Sequence, residues 1–65
     1  MLHQGFTLRF LDRTRCVLKT TQDECECEFE SSLAALAAAR EKPGSDGAKV
    51  DVYDEYGRRV MVVWF

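Results

Sequence analysis

Apolar and polar residues alternate along the first part of the chain. In GFTLRFL, residues 5 to 11, every second residue is large and apolar. Phe6, Leu8 and Phe10 would share one side of an extended backbone, which is the pattern of a half-buried strand. After a short polar turn, residues 14 to 20 (TRCVLKT) show a similar pattern and are rich in β-branched residues. We predict two strands that form an antiparallel hairpin.

The alternation is strictest in DECECEFE, residues 23 to 30, where an acid occupies nearly every second position. Cys25, Cys27 and Phe29 fill the gaps, so a strand would give them one buried side. A helix would instead bring glutamates into repulsive pairs four residues apart. We predict a third strand with these three side chains in the core; the alternative is that the following helix extends back to Glu28.

The segment SSLAALAAAREK, residues 31 to 42, predicts the helix. It begins with two serines that can cap the first amides, and its alanines and leucines have high helix propensity. We expect Leu33, Leu36 and Ala37 to face the sheet. The helix should stop at Pro43, the start of a loop rich in helix breakers.

The last third of the chain predicts a second hairpin, with strands near residues 48 to 54 and 58 to 65. Val50 and Val52 should face the helix. The last strand contains VMVVWF and is apolar on both sides. Such a strand belongs in the middle of a sheet, or its second side meets another surface.

These elements predict an α+β fold in a single domain over residues 1–65. It consists of a small antiparallel sheet of four to five strands with one Ala-rich helix on one face. The order is βββαββ, or ββαββ if residues 24–30 join the helix. One short helix can cover only one side of such a sheet, so we expect an exposed apolar patch on the last strand.

The composition indicates a globular domain rather than a disordered, strongly basic or membrane-spanning chain. Among the 65 residues, 46% are hydrophobic and 31% are charged, as in an ordinary globular domain. The formal charge of -2 provides no global attraction to nucleic acid. The chain starts without the pattern of a signal peptide, and no apolar run approaches the roughly 18 residues of a membrane span. We therefore expect a cytoplasmic protein that does not bind membranes.

The sequence contains no recognisable catalytic motif. Cys25 and Cys27 have a CxC spacing, which lacks the paired CxxC signature of a zinc site, and neighbouring glutamates should raise their thiol pKa values. We expect reduced, mostly buried thiols; the alternatives are a disulfide from Cys16 to one of them, or a metal site completed by Cys16 or His3. We expect no enzyme, no catalytic residue, no metal and no cofactor.

The acids offer a more specific hypothesis. Carboxylates at alternate strand positions are about 6.6 Å apart, close in scale to successive phosphates of a nucleic acid. Such a row can occupy a groove built for phosphates, or it can simply protect an edge strand from aggregation. The predicted partner-binding residues are Asp23, Glu24, Glu26, Glu28, Glu30, Asp51, Asp54 and Glu55.

In size, architecture and surface, the chain resembles the small inhibitors that phages and mobile elements direct at bacterial defence systems, anti-CRISPR proteins among them. DECECEFE, SSLAALAAAREK and VDVYDEYGRRVMVVWF together carry this resemblance. It implies a non-enzymatic inhibitor that mimics nucleic acid and blocks a basic, nucleic-acid-handling protein, such as a component of a bacterial defence complex. We expect a monomer or homodimer that does not itself bind nucleic acid.

The alternative hypothesis is a homodimeric or nucleic-acid-binding module that acts through its sheet. It would use the exposed apolar side of the last strand and the basic positions of the strands. Those bases can also be solvated residues paired with acids across the sheet, which contribute little. The basic residues are Arg9, Arg13, Arg15, Lys19, Arg58 and Arg59.

Overall fold

The computed structural model describes residues 5–21 and 26–65, which form five strands and one helix. The α+β class and the βββαββ order are confirmed, and the third strand does not join the helix. The predicted beginning of that strand, at Glu24 and Cys25, lies outside the described residues. The elements are β1 (Phe6–Phe10), β2 (Cys16–Thr20), β3 (Glu26–Phe29), α1 (Ser32–Arg40), β4 (Lys49–Tyr53) and β5 (Arg59–Trp64).

The strands form one sheet in the order β3-β2-β1-β4-β5, so β1 is central and β3 and β5 are the two edges. Three of the neighbouring pairs are antiparallel, as predicted, but β1 and β4 are parallel. The parallel pair follows from the connection through α1. The helix carries the chain back along the sheet after β3, so β4 enters in the direction of β3 and β1.

The core lies between α1 and one side of the sheet, here called the helix side; the opposite side is the open side. The predicted apolar positions of β1, β2 and β4 are confirmed as buried, except that Phe10 is partly buried. Burial also raises the pKa of the Cys16 thiol, which favours its neutral form. The buried apolar residues are Phe6, Leu8, Cys16, Leu18, Ala35, Ala39, Ala48, Val50 and Val52.

The helix packs with a different face from the one predicted. Ala35 and Ala39 are fully buried and Leu36 packs partly against the core, whereas Ala37 is exposed and Leu33 is 79% exposed. Ala35 and Ala39 are one helical turn apart and form a smooth strip. Large side chains from the strands fill most of the core, so a helix face of small residues packs closely against them.

Both ends of α1 are satisfied by local hydrogen bonds. The Ser31 hydroxyl accepts a hydrogen bond from the Ala34 amide at 3.2 Å, so the first of the two candidate serines is the N-cap. At the other end, the Ser45 hydroxyl donates to the Arg40 carbonyl at 2.8 Å. These bonds satisfy backbone groups that a helix leaves unpaired, and they fix where α1 begins and ends.

Candidate binding edges of the sheet

The outer strand β5 exposes a series of apolar side chains. Val60 and Met61 are each 57% exposed and Trp64 is 65% exposed. The prediction that this strand lies in the middle of the sheet is wrong, because β5 pairs only with β4 within the described sheet. The other predicted explanation, a second side that meets another surface, fits an apolar strand at an edge.

The pairing with β4 shows which side each β5 residue occupies. Met61 and Val63 lie opposite the buried valines of β4, so they point to the helix side. Val62 and Trp64 lie opposite polar β4 residues and point to the open side. Because α1 packs against β1, β2 and β3, Met61 remains uncovered even on the helix side.

The backbone of β5 points hydrogen-bonding groups away from the sheet. The Phe65 amide donates to the Ala48 carbonyl of the neighbouring chain segment at 3.0 Å. Successive amides of a strand point in opposite directions, so those of Trp64 and Val62 point outwards. No other strand of the described residues pairs with this edge, so another strand can be added to it.

A β-bulge interrupts the start of this edge. Tyr53 lies opposite Arg59 and Val52 lies opposite Met61, so Val60 is the extra residue in β5. A bulge increases local twist and limits uncontrolled strand pairing. The regular part of the outer edge therefore begins at Met61.

Cationic side chains flank β5 on the open side. The Asp51 carboxylate lies 3.4 Å from the Arg59 guanidinium and 3.7 Å from the Lys49 ammonium. The Lys49 ammonium is also 6.0 Å from the centre of the Trp64 ring. Two cations share one carboxylate, so this part of the surface has a net positive charge.

No family model, curated protein or solved structure matches the chain.

The opposite edge, β3, presents the described part of the acidic segment. Glu26, Glu28 and Glu30 are all exposed, and pairing with β2 places the first two on the open side. The Glu28 carboxylate lies 3.6 Å from the Arg15 guanidinium, so a basic neighbour partly compensates it. Asp23 and Glu24, which belong to the predicted site, lie outside the described residues.

The apolar positions of β3 are less buried than predicted. Phe29 packs partly against the core, but Cys27 is exposed, contrary to the prediction that it is a core residue. Cys27 lies opposite buried Leu18, and hence on the helix side. It is exposed because β3 is an edge strand and the helix face above the sheet consists of small alanines. Cys25 lies outside the described residues.

The remaining predicted acids lie far from β3. Asp51 is on β4, while Asp54 and Glu55 belong to the turn before β5. The Asp54 carboxylate accepts hydrogen bonds at 2.9 Å from the backbone amides of Arg58 and Tyr56, and the Arg58 amide contributes most to lowering the pKa of this carboxyl. Three strand spacings, about 14 Å, separate β3 from β4. The structure thus divides the predicted acidic face into two groups.

The described residues show no other obvious site. Residues 5–21 and 26–65 form no cavity, and within the same ranges no three His, Cys, Asp or Glu side chains cluster as metal ligands. No described helix has the length and hydrophobicity that a bilayer crossing demands.

The open side between the two edges is polar and mixed in charge. Arg9 and Lys19 are exposed there, and Tyr53 lies beside Arg9. Arg15 pairs with the Asp12 carboxylate at 2.9 Å as well as with Glu28, which fits the interpretation of the bases as partners of nearby acids. The sequence predicted the apolar last strand. It did not predict that this strand and the acidic strand form opposite edges of the sheet, because that arrangement depends on the strand order.

Proposed function

We propose that the protein is a non-enzymatic binding module that docks an extended segment of a partner protein along β5. The observation that carries this proposal is the exposure of apolar side chains on an outer strand whose amides at Val62 and Trp64 point outwards. Strand addition uses such an edge: the backbone supplies affinity, and alternate side chains supply specificity.

The two sides of β5 define the chemistry of the partner segment. On the helix side, Met61 and Val63 favour apolar partner residues. On the open side, Arg59 and Lys49 share Asp51 and retain excess positive charge, which favours acids. The best ligand is therefore an extended segment in which apolar and acidic residues alternate.

A labelled synthetic peptide of alternating glutamate and valine tests this proposal by fluorescence anisotropy. We expect Val62→Pro to abolish binding, because proline removes an outward amide yet is tolerated on an edge strand. Arg59→Glu should weaken binding by about fivefold, from roughly 1 kcal/mol per cross-strand charge pair. Arg9→Glu makes the same charge change in the middle of the open side and should leave the affinity unchanged.

The control ligand is the same peptide with lysine in place of glutamate. We expect it to bind more weakly, and the difference to shrink at high salt because screening weakens surface charge interactions. Circular dichroism establishes that each variant is folded. Equal affinity for both peptides, or full binding by a folded Val62→Pro variant, would contradict strand addition at β5.

The acidic edge supports a second candidate function. Glu26, Glu28 and Glu30 are exposed along and just after β3. In this candidate they imitate a phosphate row and occupy the basic site of a nucleic-acid-handling protein, as the resemblance to anti-CRISPR inhibitors implies. The protein should then displace a labelled oligonucleotide from an arginine-rich peptide at low salt.

Charge reversal separates this candidate from simple protection of the edge. The double variant Glu26→Lys with Glu28→Lys should lose the displacement activity, whereas Asp51→Asn, on another part of the open side, should retain it. Displacement that survives the double change would eliminate the acidic row as the binding surface.

A further inference from the structure

We propose that a second copy of this chain is an occupant of the β5 edge, with β3 of one copy added antiparallel to β5 of the next. This inference rests on the proposed strand-docking function and names its partner. It uses the two edges of one sheet, which differ in charge and are both exposed.

The strand directions permit this pairing without turning either copy over. β1 and β3 run in one direction because both are antiparallel to β2, and β4 runs with them because it is parallel to β1. β5 is antiparallel to β4 and therefore opposes β3. Two copies placed side by side in the same orientation bring β5 beside an antiparallel β3, with their helix sides aligned.

The side chains of the two edges match on the open side. Glu26 and Glu28 of β3 point to this side, as do Trp64 of β5 and the Arg59 guanidinium, which contacts Asp51. The acids of one copy thus lie along the cationic flank of the other. Opposite charges on neighbouring strands stabilise their pairing.

The helix side of the same seam is apolar. Cys27 and Phe29 of β3 point there, as do Met61 and Val63 of β5. Cys27 and Met61 are both exposed in the single chain, so the contact would bury two side chains that the fold leaves in water.

Charge favours this arrangement over a symmetric one. Pairing of β5 with β5 brings together two groups in which Lys49 and Arg59 outnumber the single Asp51 carboxylate, since Arg58 is compensated by Asp54. Pairing of β3 with β3 places glutamates against glutamates. Only the mixed pairing sets acids against bases, and such a head-to-tail contact leaves one free edge of each kind, so assembly continues beyond the dimer unless a ring closes.

Sedimentation equilibrium of the full chain, up to millimolar concentration, tests the proposal. We expect the wild-type mass to rise with concentration through species larger than dimers, and to fall again at high salt. Val62→Pro blocks the β5 edge, and the double variant Glu26→Arg with Glu28→Arg blocks the β3 edge. Each variant alone should be monomeric, while Arg9→Glu should assemble as the wild type does.

Mixing the two blocked variants gives the decisive result. A head-to-tail contact predicts a one-to-one complex, because each variant retains the edge that the other lacks. A monomeric wild type, a mixture without this complex, or continued self-association of the acid-reversed variant would overturn the proposal. Binding of the alternating peptide to β5 is measured independently, so it can succeed while self-association fails. If Val62→Pro does not fold, Met61→Lys serves as the β5-blocked variant.

Discussion

Leu8 and Leu33 form a matched pair for testing how the core is built. Leu8 is 1% exposed on the central strand, between Leu18 of β2 and Val52 of β4, whereas Leu33 is 79% exposed on α1. Truncation to alanine removes the same three carbon atoms at both positions. The difference between the two variants therefore measures burial alone, apart from a small gain in helix propensity at residue 33.

The expected cost at Leu8 is large for a chain of this size. Burial is worth about 0.8 kcal/mol per CH2 group, which gives roughly 2.4 kcal/mol before the cavity is included. The cavity brings the expected loss to about 3 kcal/mol, within the usual range for such changes. A 65-residue domain has a total stability of about 3 to 10 kcal/mol, so at the lower limit Leu8→Ala should leave only about half of the molecules folded.

Urea denaturation followed by circular dichroism measures both variants. We expect Leu33→Ala to change the free energy of unfolding by no more than about 0.5 kcal/mol, as is usual for exposed positions. Ala39→Leu should lose about 1 to 3 kcal/mol, because it overpacks the buried helix strip. A loss above 1.5 kcal/mol for Leu33→Ala, together with a tolerated Ala39→Leu, would show that α1 packs with the opposite face.

Three further changes test individual positions. The Asp12 carboxylate accepts hydrogen bonds from the Arg15 and Thr14 amides, which hold its pKa well below the ordinary value. The ionised carboxylate therefore stabilises the fold fully at pH values above the pKa that Asp12 has in the unfolded chain. This contribution is lost as the pH falls through the lower pKa that Asp12 has in the folded protein. Asp12→Ala should therefore lower the melting temperature most at neutral pH and progressively less as the pH falls below about 4, whereas a loss that stays constant over this whole pH range would contradict this. The Thr20 hydroxyl is buried and no described residue bonds it, so Thr20→Val should raise the free energy of unfolding in urea by about 1 kcal/mol, and a loss would show a missed partner. Gly57 has a φ of 83°, and a methyl group at this position would point into open space, so Gly57→Ala should cost only about 1 to 2 kcal/mol of backbone strain in the same assay, and a larger loss would indicate a steric clash.

Strands and core were predictable because alternation is a local property. Successive side chains of a strand point to opposite sides, which places Phe6 and Leu8 on the buried side and Thr7 and Arg9 on the other. The buried face of the helix was harder to predict, because alanine and leucine are both apolar and every side of α1 contains some of them. Cys27 shows another limit: alternation assigns a side of the sheet, while burial depends on what covers that side.

The candidate site was predictable only in part. Alternation placed Glu26 and Glu28 together on one side of a strand, and the structure does the same. It could not place Asp51 or Asp54 relative to them, because that distance depends on strand order, which is set by the parallel contact between β1 and β4. Asp54 also has a local role as a turn residue, which its two amide hydrogen bonds show.

The contrast between the two edges follows from the size of the helix. A helix is about 10 Å wide with its side chains, while five strands span about 19 Å, so α1 covers β1 to β3 and leaves β5 uncovered. Both edges are therefore exposed, yet only β3 has charges at alternate positions along its length. β5 has a bulge at Val60, after which it presents the apolar Met61 and Trp64 to water. An exposed apolar edge strand promotes aggregation unless another strand pairs with it. An acidic strand of the β3 type can pair with β5, because its charge is complementary and its side chains alternate in the same way.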